Sequence, residues 1–368
     1  MTMTSKKTRI TWKTILPAVL GLIAFLVYLF VFDVDVPHML AIVRSVNLPL
    51  YSLAVFSIIL QTFFFSISWR FLLTFLSVKL SLKKSFLYVW YGIFVDILIP
   101  AESISGEISR VYLVTRKQNG TSGKVVASLV THRLIGTAVN MGAMIISLLV
   151  LVFQRGVSGI ILHLSLFVVA GTTIILGLVI LLIIKEEWTL KVIDAMLRFS
   201  DYVTRGKWNL TRFKGKVVEA ADMFHDSMRE FIKAPKTLSV SLLFSFFSWL
   251  LGIFVIYLVF LSMGFTVNWN AIIVTTSMMV AIKGIPLGIP FEAGLPELTM
   301  PTIFAALLIE IPSDIRFTVC ATATILIRIL TVWLRFLIGF TVQQWLGIKA
   351  ATAVGRESEK LLSETPKT

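Results

Sequence analysis

The chain has 368 residues, of which 57% are hydrophobic and 15% charged, whereas a soluble domain carries about 25% charged residues. That shortfall excludes a water-faced globule over most of the length. The formal net charge of +14 sits in short connections between apolar runs, the pattern of membrane topology and anionic headgroups; it argues against a nucleic-acid partner.

Crossing a bilayer core takes about 20 helical residues, and six segments reach that length: 15–32, 49–76, 124–153, 158–184, 237–263 and 315–346. The first follows Lys6, Lys7, Arg9 and Lys13. It is longer than the ~7–15 residues of a cleaved signal core, and no small-x-small site precedes Asp33, so it reads as a retained span. Lys79, Lys83 and Lys84 after the second span mark a cytoplasmic connection, whereas the connections with Asp33, Asp35, Arg44 and Arg155 carry few basic residues and read as external. The stretch 185–236 holds eleven basic and eight acidic residues. Its pattern predicts two amphipathic helices on the inner surface, Trp188 to Tyr202 and Val217 to Phe231.

Two further apolar stretches do not fit as simple spans. The first, 83–118, is basic at both ends and broken at Pro100-Ala101-Glu102-Ser103-Ile104-Ser105-Gly106-Glu107. The second, 270–311, lacks basic residues at both ends and is broken between Lys283 and Glu297 by Pro286, Pro290, Gly294 and Pro296. Breaks of this kind expose backbone. Each predicts a helical hairpin that leaves by the face it entered, the two entering from opposite faces. The alternative is a pair of short spans in each, giving ten crossings. The expected fold is therefore all-α and polytopic: one transmembrane domain over 1–348, with six full spans and two re-entrant hairpins. Three crossings per unit would make units 12–156 and 157–348 an inverted repeat, a transporter architecture. The tail 349–368 and the N-terminus would both be cytoplasmic, at the cell membrane.

An ionisable group at mid-bilayer costs at least ~2.5–3.5 kcal/mol unless it is paired or wet. Helical rise places Asp96 about 18 Å along its arm from Lys84, Arg133 about 13 Å from Lys124, Lys283 about 20 Å from Asn270 and Arg328 about 21 Å from Asp314. All reach middle depth, beside Glu102, Glu107, Arg110, Glu292 and Glu297 at the breaks. Gathered around one polar cavity, the cations Arg110, Arg133, Lys283 and Arg328 would suit a phosphate headgroup. Asp96, Glu102, Glu107, Glu292 and Glu297 would balance charge or gate, and Pro100, Gly106, Pro290 and Gly294 would make the breaks. Structural readings stand beside these. Arg133 and Arg328 could simply pair with Glu107 or Glu297, Glu107 with Arg110, and Lys283 could cap carbonyls or snorkel. Asp96 and His132 could be satisfied by backbone, and Arg70 and Arg335 are expected nearer the cytoplasmic interface. The single cysteine, Cys320, and four scattered histidines imply no disulfide, metal or cofactor.

Pro100-x5-Gly106-Glu107-x2-Arg110, then Asn119-Gly120-Thr121-Ser122 and Thr131-His132-Arg133-Leu134, resemble the lysylphosphatidylglycerol synthase transmembrane family. Archaeal members are usually called flippase-like domain proteins. Pro290-x3-Gly294-x2-Glu297 and Arg328 match further parts of that pattern, and the resemblance spans roughly 12–348. Phe291 and Glu292 replace the family's paired glycines, and Pro296 stands where a polar or basic residue is common. The sequence continues about twenty residues beyond the last span, so the resemblance implies the membrane domain without a soluble synthase domain. It implies translocation of an anionic, aminoacylated or polyprenyl-type lipid between leaflets. Membrane lipids are the expected partners; a second copy of the chain or a lipid-pathway enzyme is left open. The alternatives are an intramembrane lipid-modifying transferase, for which the sequence offers no catalytic set, or a non-transporting partner in a lipid or glycan pathway.

Overall fold

A computed structural model describes residues 36–99, 104–116, 118, 120–204, 210–283 and 294–347. The described residues form helices α1 (Val36–Arg44), α2 (Leu48–Phe75), α3 (Leu82–Leu98), α4 (Ile104–Thr115), α5 (Ser122–Arg155), α6 (Gly159–Ile184), α7 (Glu186–Thr204) and α8 (Leu210–Ile232). There follow α9 (Pro235–Ser262), α10 (Trp269–Lys283), α11 (Leu295–Leu307), α12 (Arg316–Arg328), a π-helical turn (Ile329–Leu334) and α13 (Arg335–Leu346). Five stretches are long and apolar enough to cross a membrane: α2, α5, α6, α9 and the continuous run Arg316–Leu346. Each coincides with an expected span. The expected span at 15–32 lies outside the described residues. Helix α1 stands where an external connection was expected.

Local chemistry sets several boundaries. Asn47 caps α2, its Oδ1 accepting from the Leu50 amide at 3.2 Å, with proline in the first turn. Ser81 caps α3 in the same way through the Lys84 amide. Gly156, with φ 60°, closes α5 in the left-handed conformation that glycine adopts freely.

Helices α2 and α9, each of 28 residues, form an antiparallel seam. The Asn47 amide donates to Ser262 O at 2.7 Å, Ser248 Oγ donates to Gln61 O at 3.0 Å, and Ser68 Oγ lies 2.7 Å from Ser241 Oγ and 2.8 Å from Ser245 Oγ. The partner numbers fall as the first numbers rise, so the chains run oppositely along the full length. Serines let two backbones approach closely and satisfy each other's hydroxyls where water is absent. Phe64 and Phe71 flank this strip by stacking on Phe244.

The remaining helices sort into two ends. At one, Phe75 stacks on Phe231 just before α9 begins, Lys83 lies 5.3 Å from the Trp345 ring, and α8 is tied to the end of α6 by His225 on Ile183 O and to the start of α7 by Arg229 on Glu186. A Cβ on Gly123 would strike Ala220 O, so α8 rests directly on the start of α5. At the other end, Arg155 at the close of α5 binds Glu310 at 2.7 Å. The short pair α3/α4 starts and finishes at the first end: the Lys79 amide donates to Gln118 Oε1 at 3.2 Å, and Gln118 Nε2 donates back to Lys79 O at 2.7 Å. The pair α10/α11 starts and finishes at the second, where the Asn268 amide donates to Glu310 Oε1 at 2.7 Å. The outside is apolar, with Phe153, Ile160 and Phe167 all more than 70% exposed, a surface suited to lipid rather than water.

Glu310 lies in the connection outside the long helices and joins α5, α10 and α11. Burial alone would raise its carboxyl, but the hydrogen bonds from Arg155 and the Asn268 amide, with the Arg155 charge, outweigh it and hold the group below its ordinary 4.5. Because the folded value is depressed, this clasp contributes fully above pH 4.5 and is lost as pH falls through the folded value. Thermal unfolding in detergent is expected to lose midpoint on acidification below pH 4.5, and Glu310→Gln to remove part of that slope. An identical slope in the variant would show that Glu310 contributes nothing to it.

Candidate functional site

The first cluster lies between the two arms α3 and α4. Asp96 Oδ1 accepts from the Gly106 amide at 2.6 Å and from Ser105 Oγ at 2.8 Å. One arm thus supplies the anionic cap that the N-terminus of the other requires. Gly92 and Gly106 allow the close approach. A Cβ on Gly106 would overlap Asp96 Oδ2 and crowd Gly92 O, and one on Gly92 would lie 3.1 Å from Arg110 Nε. One turn on, Arg110 is only 6% exposed. Its Nε donates to Gly106 O at 3.3 Å, and its guanidinium lies 5.7 Å from the Phe65 ring and 5.5 Å from the Trp69 ring. Two π-faces on α2 therefore hold the cation, and the local Glu107–Arg110 salt bridge, the alternative structural reading, does not form. Glu107 instead faces Arg133 of α5 at 3.6 Å, with 40% of the Arg133 and 21% of the Glu107 side chain exposed. His132, beside Arg133, is buried edge-on to Phe65.

The second cluster follows the break before α11. Glu297 stands in the first turn of that helix, one oxygen accepting from the Gly294 amide at 2.8 Å and the other from Arg328 Nε at 2.7 Å. This pair is tighter and drier than the first, at 8% and 12% exposure. Both clusters have the same parts: a glutamate in the first turn after a break, and an arginine inside the next long helix. Arg133 lies 11 residues in from Ser122, and Arg328 lies 12 residues in from Arg316.

Asp96, Gly106, Glu107, Arg110 and Arg133 are thus brought together, as are Gly294, Glu297 and Arg328. Pro100, Glu102, Pro290 and Glu292 lie outside the described residues, and Lys283 ends α10 with its side chain outside them too.

Arg335 departs from expectation. Its partner lies at mid-helix rather than at a helix end. Its Nη2 donates to Gln61 Oε1 at 2.7 Å, and Gln61 sits near the middle of α2. The π-helical turn carries it there, which no α-periodic reading of the sequence contains. A lone amide inside an apolar span was the available signal. Arg70, by contrast, stays near the end of α2 and donates to Leu80 O at 2.9 Å.

The lysylphosphatidylglycerol synthase TM region matches residues 16–339. The chain belongs to that family. It is similar to a UPF0104 membrane protein of Pyrococcus horikoshii, 23% identical over 296 residues, which are 78% of this chain and 84% of the relative. A UPF0104 membrane protein of Methanocaldococcus jannaschii is 24% identical over 340 residues, 91% of this chain and 95% of that one. No solved structure matches. Family and helices together make this a multi-pass membrane protein.

The arm contact yields a direct test. Gly106→Ala is expected to cost about 1–3 kcal/mol by overpacking. Gly136→Ala on α5, where the added methyl meets open space, is expected to be neutral or to gain about 0.5–1 kcal/mol. Unfolding midpoints in detergent check both; equal midpoints would mean that the arms are not pressed together at Gly106.

Proposed function

We propose that this protein carries an anionic lipid headgroup between leaflets, with the acyl chains left in the bilayer and the phosphate passing between the two Glu–Arg clusters. The observation that carries the reading is the pair of matched ion pairs, Glu107–Arg133 and Glu297–Arg328, each at an interrupted helix pair. The arms α3, α4, α10 and α11 have 17, 12, 15 and 13 residues, below the roughly 20 needed to span. Each pair closes on itself at one end of the molecule, and the two pairs do so at opposite ends of α5. That placement supports re-entrant hairpins from opposite faces, an inverted repeat over 12–156 and 157–348, and alternating access between the two. The basic connections support a cytoplasmic position for both termini.

An arginine held by a carboxylate exchanges it for a phosphate without losing its charge-assisted fork. The displaced glutamate then takes a proton or another donor, because an unpaired buried charge costs several kcal/mol. The looser, more exposed Glu107–Arg133 pair is the half poised to receive substrate, and the tight Glu297–Arg328 pair is the half held shut.

Single and charge-neutral double variants separate function from folding. Arg328→Gln alone strands Glu297 and is expected to cost about 3–5 kcal/mol, whereas Arg328→Gln with Glu297→Gln restores the unfolding midpoint. In proteoliposomes with fluorescent phosphatidylglycerol, that double variant and Arg133→Gln with Glu107→Gln should each lose translocation. Unchanged translocation in both doubles would remove the pairs, and this reading with them.

A further inference from the structure

Arg335 is half-buried, with its guanidinium Nε sealed from solvent, and it lacks the carboxylate that Arg133 and Arg328 have. Arg133, Arg155 and Arg328 each face a carboxylate. Among the described residues none lies within ion-pair reach of Arg335. Its Nη2 donates to the neutral Gln61 amide, and its Nε is sealed from solvent with no hydrogen-bond partner. A cation that stays uncompensated at the centre of an apolar span is expensive.

The surroundings are built to hold it. Gln61 lies near mid-helix in α2, at the point where α2 meets α9. Its amide rests on Gly252, where a Cβ would come within 2.7 Å of Gln61 Nε2 and push the amide aside. Seven residues separate Arg328 from Arg335, close to two α-turns, and an unbroken helix would stack both on one face. The π-helical turn between them rotates Arg335 toward α2 while Arg328 stays on Glu297 of α11. Insertions of this kind recur at functional sites.

We propose that Arg335 and Gln61 form a second anion site, a mid-membrane station for the phosphate ester of an anionic lipid. This deepens the translocation reading and rests on it for the source of the ligand. Arg335 offers its free Nε–H and the remaining guanidinium donors, and Gln61 offers Nε2. The ligand supplies the counter-charge that the helices do not. Arg335 and Arg328 lie about 10 Å apart along one helix axis, so the phosphate steps between two cations without entering hydrocarbon unpaired.

The test is thermal unfolding of the purified protein in dodecyl maltoside, alone or with phosphatidylglycerol, diacylglycerol or inorganic phosphate. Phosphatidylglycerol is expected to raise the wild-type midpoint; diacylglycerol, which keeps the chains and lacks phosphate, and inorganic phosphate are expected not to. Arg335→Gln abolishes the rise and, without lipid, melts no lower than wild type, since its removal relieves an uncompensated charge. Arg335→Lys keeps the point charge, loses the fork and retains a smaller rise. Arg335→Gln is also expected to slow phosphatidylglycerol translocation about tenfold or more. Full lipid stabilisation in Arg335→Gln, or a lower lipid-free midpoint, overturns the site. Inorganic phosphate matching the lipid overturns its assignment to a lipid. Stabilisation through Arg335 without wild-type translocation keeps the site and ends the transport reading; translocation unaffected by Arg335→Gln ends the site alone.

Discussion

A guanidinium taken to the middle of a bilayer must bring its compensation with it, because the medium supplies none; insertion scales put the cost at ~2.5–3.5 kcal/mol even after snorkelling and local hydration. Three arginines, Arg110 and Arg328 buried and Arg335 half-buried, meet that constraint in three ways. Arg328 is paired with a carboxylate, Arg110 is set between aromatic faces and a backbone carbonyl, and Arg335 is held by an amide. The first is held by a carboxylate, and the second leaves its Nη1 buried without a hydrogen bond. The third has no carboxylate within ion-pair reach among the described residues, which is the ground for the anion site proposed there.

The α2/α9 seam makes this possible. Serines at Ser68, Ser241, Ser245 and Ser248 keep the two long helices close, so that the short arms pack around a stiff central pair. Each arm pair in turn depends on a local anion at a helix start: Asp96 across the first break, and Glu297 within its own first turn at the second. Because Glu297 also binds Arg328, one residue both caps its helix and holds the buried arginine. Removing that arginine contact therefore alters the end of the arm as well as the charge of the site.

Much of the architecture was legible from local pattern. The long spans follow from apolar length, the amphipathic α7 and α8 from their period, and the short pairs from basic or non-basic ends around Pro and Gly. The pairing of Arg133 with Glu107 and Arg328 with Glu297 was one of two readings that spacing allowed. What was not legible depends on contacts far apart in sequence. Arg110 turns to Phe65 and Trp69 on another helix, away from Glu107 three residues before it. Arg335 reaches Gln61, 274 positions away, only because the helix widens at Ile329–Leu334. Periodicity at 3.6 residues per turn has no way to register one extra residue in a turn.

The account turns on the two arm pairs opening toward opposite sides of the membrane. Single cysteines at Ser81, Gly120, Asn268 and Asp314, placed in a Cys320→Ser background and probed with a membrane-impermeant maleimide in vesicles of each orientation, measure this directly. Ser81→Cys and Gly120→Cys should label from the cytoplasmic side, and Asn268→Cys and Asp314→Cys from the external side. Labelling of Ser81→Cys and Gly120→Cys from opposite sides, or of all four from one side, would contradict it.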